Sequence, residues 1–442
     1  MAITGFKIPK SKLSLDWSHL NLEFPGRSPE IKTLINAWES LKTRFNDDVG
    51  FFDAPISDDI SQIANTKNLA KTVLDRNTFT DCLFLGIGGS ALGPISASAA
   101  LLHLKNSPIQ MHFVDNPDPI QWNLTLQNLN PETTLVCAVT KSGGTFETIS
   151  QLMIALEWLG RDRWESHLVG ITDPKNGQLR EFCSAHRIPA LSIHPTLGGR
   201  FSEFSPVGLF PLALEGHDPA KLLEGANSVR KMALETPVEK NPLFTIAESL
   251  LNLSQSHPNH VCMPYSTRLK CTADWWVQLW GESLGKNGKG FTPIGTVGAT
   301  DQHSVLQLLR DGPNDKITFF IVVDEVPDPI AIPKITFDRG LNLPTFDLLQ
   351  GQSLHRLLNL EYDATSKVLT QNRRPSFSFR LDAIDAESMG SLYFSLALTT
   401  AFLGTLMDIN PFDQPGVEEG KIYLRQSLSQ MNVDAGPIGN YP

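Results

Sequence analysis

Between residues 80 and 195, short apolar runs alternate with stretches whose apolar positions recur every three or four residues. CLFLG (82–86), IQMHFV (109–114), TLVCAVT (134–140), HLVGIT (167–172) and PALSI (189–193) read as strands. Helical patterns fill the gaps at about 91–104, 145–159 and 176–186. Strands alternating with helices predict an α/β fold with a doubly wound parallel sheet. Ligands bind such sheets beyond the carboxyl ends of the strands, which is where this chain places its polar, glycine-rich stretches.

The same alternation returns, more weakly, after the charged, helix-like stretch 219–240. Strands are expected at 260–264, 316–324 and 376–381, with helices at about 268–281, 352–371 and 384–408. The layout is therefore an N-terminal arm (1–50) with one helix near 29–45, a first α/β domain (51–218), a second (241–410) and a C-terminal extension (411–442). The most membrane-like segment, SLYFSLALTTAFLGTLM (391–407), is short for a span, carries several hydroxyls and is flanked by Glu387 and Asp408. It reads as a buried helix.

Composition narrows the partners. The 442 residues are 41% hydrophobic and 19% charged, as in an ordinary globular protein. The net charge of -10, with no basic run, argues against a nucleic-acid or anionic-membrane surface. Five scattered cysteines without a C-x-x-C, and no signal-peptide-like stretch in MAITGFKIPKSKLSLDW, favour reduced thiols and a cytoplasmic setting.

Chemistry concentrates in a few blocks. LFLGIGGSALGP (83–94) reads as strand–turn–helix, a turn that leaves backbone N–H groups bare for an anion. GIGGSA also satisfies the loose G-x-G-x-x-A dinucleotide pattern, with Asp115 at the end of the next strand. A dinucleotide site, a phosphate site and a turn that serves only packing all remain open for this block. TKSGGTFET puts Lys141, Ser142, Gly143, Gly144 and Thr145 where a helix begins, suited to a phosphate monoester without a metal. The bland alternative is that Thr145 caps the helix. No Walker pattern is present, so a nucleoside triphosphate is not implied.

GGRFSEFSPVG (198–208) places Arg200 after Gly198 and Gly199, where a guanidinium could offset a developing oxyanion or simply face solvent. In WWVQLWGESLGK, Gln278 and Glu282 are four apart and share a helix face. Glu282 falls in or just past the last turn, at the negative end of the helix dipole, which should raise its pKa toward that of a general base. A solvated glutamate is the alternative. His303 in TDQHS, and Gln414 and Lys421 in FDQPGVEEGK, are single polar residues whose ordinary reading is structural or solvated.

Taken together and in this order, GIGGSALGP, TKSGGTFET, GGRFSEFSPVG, WGESLGK, TDQHS and FDQPGVEEGK resemble the glucose-6-phosphate (phosphoglucose) isomerase family, in its shorter bacterial form. The resemblance runs from about residue 80 to about 425. It implies two doubly wound sugar-isomerase domains, a C-terminal helical extension and a homodimer with shared active sites. It implies aldose–ketose isomerisation through a cis-enediol, with a sugar phosphate as partner, no cofactor and no metal. By position, Gly89, Ser90, Lys141, Ser142 and Thr145 fall on the phosphate-binding residues, and Arg200 on the arginine that steadies the enediolate. Glu282 falls on the base, and His303 on a ring-opening histidine supplied by the neighbouring subunit. Gln414 and Lys421 complete the pocket, with Gly199 and Gln278 among the substrate-binding positions. Thr140 with the glycine pair, and Pro415 after Gln414, depart from the family pattern. A sugar-phosphate sensor on the same fold would need neither Glu282, Arg200 and His303 together nor the isomerase chemistry, and would carry an output module.

Overall fold

Among the described residues eleven strands form, and their apolar patterns decide which sheet faces they cover. The computed structural model describes residues 5–20, 30–45, 49–101, 107–336 and 341–434. In chain order the strands are β1 (Gly5–Lys7), β2 (Leu13–Asp16), β3 (Asp81–Leu85), β4 (Gln110–Val114), β5 (Thr134–Thr140) and β6 (Leu168–Thr172). They continue as β7 (Ala190–Ser192), β8 (Asn259–Pro264), β9 (Thr292–Gly295), β10 (Lys316–Val323) and β11 (Ser376–Leu381).

The first sheet is parallel throughout, in the order β4-β3-β5-β6-β7. Its central strand β5 is buried at every residue, as its continuous apolar run requires. The period of two sorts β3 between two cores. Cys82 and Phe84 join the large central core, while Leu83 and Leu85 join a cluster on the opposite face with Val136 and Ala138 of β5.

The second sheet runs β1-β2-β11-β10-β8-β9. Strands β9, β8, β10 and β11 are parallel and repeat the winding of the first sheet, whose corresponding strands are β4, β3, β5 and β6. The N-terminal segment does more than form an arm. Strand β2 pairs antiparallel with β11 (Phe379 opposite Leu15), and β1 pairs with β2, so the start of the chain closes the edge of the second sheet.

Several elements were not expected from the apolar pattern, among them strands β1, β2 and β9 and helices Ile63–Asp75, Pro119–Gln127, Pro206–Leu214 and Pro242–Leu253. Strand β9, TPIG, carries Pro293 and Gly295 and is tolerated because it lies at a sheet edge. The helix Pro119–Gln127 starts on Asp118, whose side chain accepts from the Ile120 and Gln121 N–H groups. The helix expected at 91–104 spans Leu92–Leu101, and residues 102–104 lie outside the described residues, as do residue 29 of the N-terminal helix and 435–442 of the extension.

Helix Ala386–Leu406 is apolar on all sides, and Ser388–Gly404 are buried. It is long and apolar enough to cross a membrane, but 89% of its most apolar stretch is buried inside this protein. Helices Ile31–Thr43, Pro219–Glu235, Pro242–Leu253 and Lys270–Leu284 surround it. The last of these presents the acid of the candidate site.

Candidate active site

Strands β3 and β5 are neighbours, but the chain between them visits β4 on the far side. This is the point where the winding reverses, the place where sheets of this kind bind ligands. After β3 the chain makes a 3-10 turn, Gly88–Ser90, before helix Leu92–Leu101. Gly89 has no room for a side chain, since a Cβ would stand 2.2 Å from the Gly199 carbonyl carbon and 2.6 Å from the Arg200 nitrogen. Ser202 Oγ donates to the Gly89 carbonyl at 2.9 Å. The two glycine-rich loops are therefore in backbone contact. The Ser90 hydroxyl makes no bond to any described residue.

After β5, Gly143 takes φ +69 and packs against Gly177. The hydroxyls of Thr140, Ser142 and Thr145 form a cluster, with Thr140–Thr145 at 2.7 Å and Ser142 3.3 Å from each. Thr145 occupies the N-cap of helix Phe146–Leu159 with extended backbone, yet its side chain does not cap it. The first-turn N–H groups are left for another acceptor, as an anion site needs.

Lys141 is placed differently from the hydroxyls. Its Nζ donates to the carbonyls of Pro195 (2.7 Å) and Leu197 (2.6 Å). Burial draws its ammonium below the ordinary value, against the pull of Asp173. In this geometry Lys141 anchors the loop that leads into Arg200.

Arg200 is the centre of the site, with its side chain wholly buried. It lies in the 3-10 segment Gly199–Phe204, and every nitrogen of its guanidinium is used. Nε donates to Ser283 Oγ at 2.7 Å. Nη1 donates to Gln414 Oε1 at 2.8 Å and to Glu282 Oε2 at 3.2 Å. Nη2 donates to the carbonyls of Pro411 (2.6 Å) and Asp413 (3.0 Å). Burial lowers its affinity for the proton and Glu282 raises it. A guanidinium stays charged regardless.

Glu282 stands in the last turn of helix Lys270–Leu284, with 31% of its side chain exposed. Gln278, one turn earlier, donates to Glu282 Oε1 at 3.1 Å, and its amide nitrogen reaches Gly88. One carboxylate oxygen is thus held by an amide and the other by a guanidinium.

Gly89, Gly199, Arg200, Gln278, Glu282 and Gln414 are therefore brought together, with the Ser142–Thr145 cluster on the adjoining strand. His303 and Lys421 are not brought to this cluster within the chain. His303 is exposed at the end of the turn Thr300–His303, while its neighbour Gln302 is tied inward to Tyr265 and Thr365. Lys421 pairs with Glu418 at 2.7 Å on the exposed helix Glu418–Asp434.

Sequence reasoning missed Ser283, and it missed Lys286, which grips the same segment as Arg200 through the Asn410 carbonyl (2.6 Å) and Asp413 (3.4 Å). Both lie inside the block WGESLGK, but nothing in the spacing distinguishes them. Among the described residues no three His, Cys, Asp or Glu side chains gather as a metal site. The arrangement offers hydroxyls and free helix N–H groups for an anion, a carboxylate that can accept a proton, and a cation beside it.

Fold and site define the class: a two-sheet, doubly wound α/β protein with an anion-ready switch point facing an acid from the second unit. The phosphoglucose isomerase family model matches residues 70–436. The chain belongs to the phosphoglucose isomerase family. It is 40% identical to the glucose-6-phosphate isomerase of Rubrobacter xylanophilus, over 77% of this chain and 81% of that protein. It is 40% identical to that of Thermus thermophilus, over 79% and 84%. A Thermus thermophilus crystal structure, solved as a hypothetical protein, superposes with TM-score 0.83 at 35% identity over 90% of this chain and 95% of that one. The glucose-6-phosphate isomerase of Chlamydia trachomatis shares the fold, with TM-score 0.79 at 22% identity over 96% and 90%.

Proposed function

We propose that this chain interconverts glucose 6-phosphate and fructose 6-phosphate in the cytoplasm, a step of glycolysis and gluconeogenesis, through a cis-enediol. Glu282 takes the proton from C2 of the open-chain aldose. The C2–H electron pair becomes the C1–C2 double bond, and the C1 oxygen gains negative charge and then a proton. Return of the proton from Glu282 to C1, with loss of the proton on O2, leaves the ketone at C2. Arg200 offsets the charge on oxygen, and its burial makes that effect stronger than it would be in water.

Gly89, Ser90, Ser142 and Thr145 hold the phosphate, with Lys141 fixing the loop beside them. Gly199, Gln278 and Gln414 line the sugar. The ring is opened with the help of His303 of the partner subunit, and Lys421 completes the pocket in a homodimer. Exposed apolar side chains support an assembly: Ile422 (56%) and Tyr423 (60%) on the C-terminal helix, and Leu308 (48%) on the segment after His303.

The observation that carries this reading is the Arg200–Glu282 pair at 3.2 Å, one partner buried and the other open. The test is a coupled assay on fructose 6-phosphate, with metals chelated and no nucleotide in the isomerising mixture. Glucose 6-phosphate should form, and in D₂O it should carry deuterium at C2. Absence of product would refute the reading.

A further inference from the structure

Two elements meet behind the site at more than one point. In a 3-10 segment, side chains three apart eclipse, so Arg200 and Glu203 face the same way from Gly199–Phe204. In an α-helix, residues seven apart share a face, so Trp275 and Glu282 both look toward that segment from Lys270–Leu284. The pairs match. Arg200 meets Glu282 at the open end, and two helical turns deeper the Trp275 indole N–H donates to Glu203 Oε1 at 2.5 Å.

We propose that the Glu203–Trp275 hydrogen bond is a second rung between these elements, and that it sets the separation of Arg200 from Glu282, making both residues positioning residues for proton transfer. The inference rests on the isomerase reading. Its surroundings make it rigid. Glu203 and Trp275 are fully buried, and Glu203 lies so close under helix Leu92–Leu101 that a Cβ at Gly93 would stand 2.3 Å from Oε1. The indole is braced edge-on by Tyr393, with centroids 4.8 Å apart. The Tyr393 hydroxyl is 2.6 Å from Ser96 Oγ, which is 2.8 Å from Thr272 on the same helix as Trp275. Burial pushes the Glu203 carboxyl up to about 8, so at neutral pH it is mostly an uncharged acceptor and glutamine is its close mimic.

Three variants test this. Glu203→Leu removes the acceptor, Trp275→Phe removes the donor with little loss of volume, and Glu203→Gln keeps a carbonyl oxygen. Values of kcat and KM are measured per folded molecule, together with the isotope effect on kcat for glucose 6-phosphate deuterated at C2. Misplacing the base by a fraction of an ångström should lower kcat about 10- to 100-fold in Glu203→Leu and Trp275→Phe while KM stays within about twofold. The isotope effect should rise, the double variant should be no slower than the slower single variant, and Glu203→Gln should recover most of the rate. A purely structural role would lower the folded fraction and leave the isotope effect alone. If Glu203→Leu does not fold, Trp275→Phe decides alone. An active wild type with unchanged kcat and isotope effect in Trp275→Phe overturns this inference only, whereas an inactive wild type removes the isomerase reading and this inference with it.

Discussion

Glu203 and Glu215 should make this protein lose stability as the pH rises through neutrality. Burial pushes Glu203 up to about 8 and Glu215 up to about 7 from 4.5, against the opposing hydrogen bonds from Trp275 and Ser98. A carboxyl raised in the folded state contributes stability that is fully present below pH 4.5 and is lost as pH climbs to its folded value. The loss runs at about 1.4 kcal/mol per pH unit for each such proton.

In the window from pH 6.5 to 8 Glu203 is the larger contributor, with Glu215 adding to it only up to about pH 7. His257 and His260 are both drawn down by burial, His260 to about 3, so their contribution is present above pH 6.5 and lost only below it. The lowered aspartates Asp173, Asp218, Asp315 and Asp385 lose stability only as pH falls below about 3.8. Lys141 and Lys286, drawn down from 10.5, act in the opposite direction on the alkaline side.

Over those 1.5 units Glu203 should cost about 2 kcal/mol and Glu215, through the first half unit of the window, under about 1 kcal/mol. Urea unfolding of wild type and Glu203→Gln at pH 6.5, 7, 7.5 and 8 reads this as a slope, independent of any constant offset from the substitution. Wild type should weaken by roughly 2–3 kcal/mol across the window and Glu203→Gln by under about 1 kcal/mol. Equal slopes in the two proteins would refute the assignment.

Glu282→Gln keeps shape and hydrogen bonding but cannot accept the proton, so turnover should fall by about 10²–10⁴-fold or more while calorimetry shows near-normal sugar-phosphate binding. Near-normal turnover would remove Glu282 from the role. Ser142→Ala with Thr145→Ala should weaken sugar-phosphate binding by roughly 1.5–3 kcal/mol per lost charge-assisted hydrogen bond and spare a neutral open-chain analogue. Equal losses for both ligands would mean that the hydroxyls hold the loop and not a phosphate. Mixing Glu282→Gln with His303→Ala under reversible dissociation should restore about half the wild-type activity per heterodimer, because one of its two sites regains both groups. No recovery after verified subunit exchange would count against the shared site.

What the sequence discloses follows from how local each signal is. The buried strand TLVCAVT and the loop TKSGGT after it are legible because an apolar run, its end and a cluster of hydroxyls lie within a dozen residues. Strand β2 is not legible, since four residues, LSLD, carry only two apolar positions and their partner lies in SFSFRL at the far end of the chain. The type of a side chain is read more easily than its direction. Lys141 sits among phosphate-type residues, yet it turns back onto the 195–197 carbonyls, a choice made by a neighbouring loop. Glu203 gave no chemical signal at all. It is one acid in an apolar stretch, and only its burial against Trp275 sets it apart from a surface residue.

The placement of the chemistry follows from helix ends. The first sheet delivers helix N-termini to its switch point, where the partial positive charge of unpaired N–H groups favours a phosphate dianion. Helix Lys270–Leu284 approaches with its opposite end and sets a carboxylate in its last turn beside the Arg200 guanidinium. On the proposed reading, a base at such an end and a phosphate nearby would add negative charge where an enediolate would also form. Arg200 lies between them, held by a hydroxyl, a side-chain amide and two carbonyls that leave its charge intact, and only one of its contacts is to an acid. Because three of those partners come from 411–414, the arginine is locked only when the chain beyond the core helix folds back over it. Residues 411–414 thus hold the buried guanidinium in place and do more than follow the core helix. Removing the Gln414 amide alone should therefore loosen Arg200 without touching Glu282.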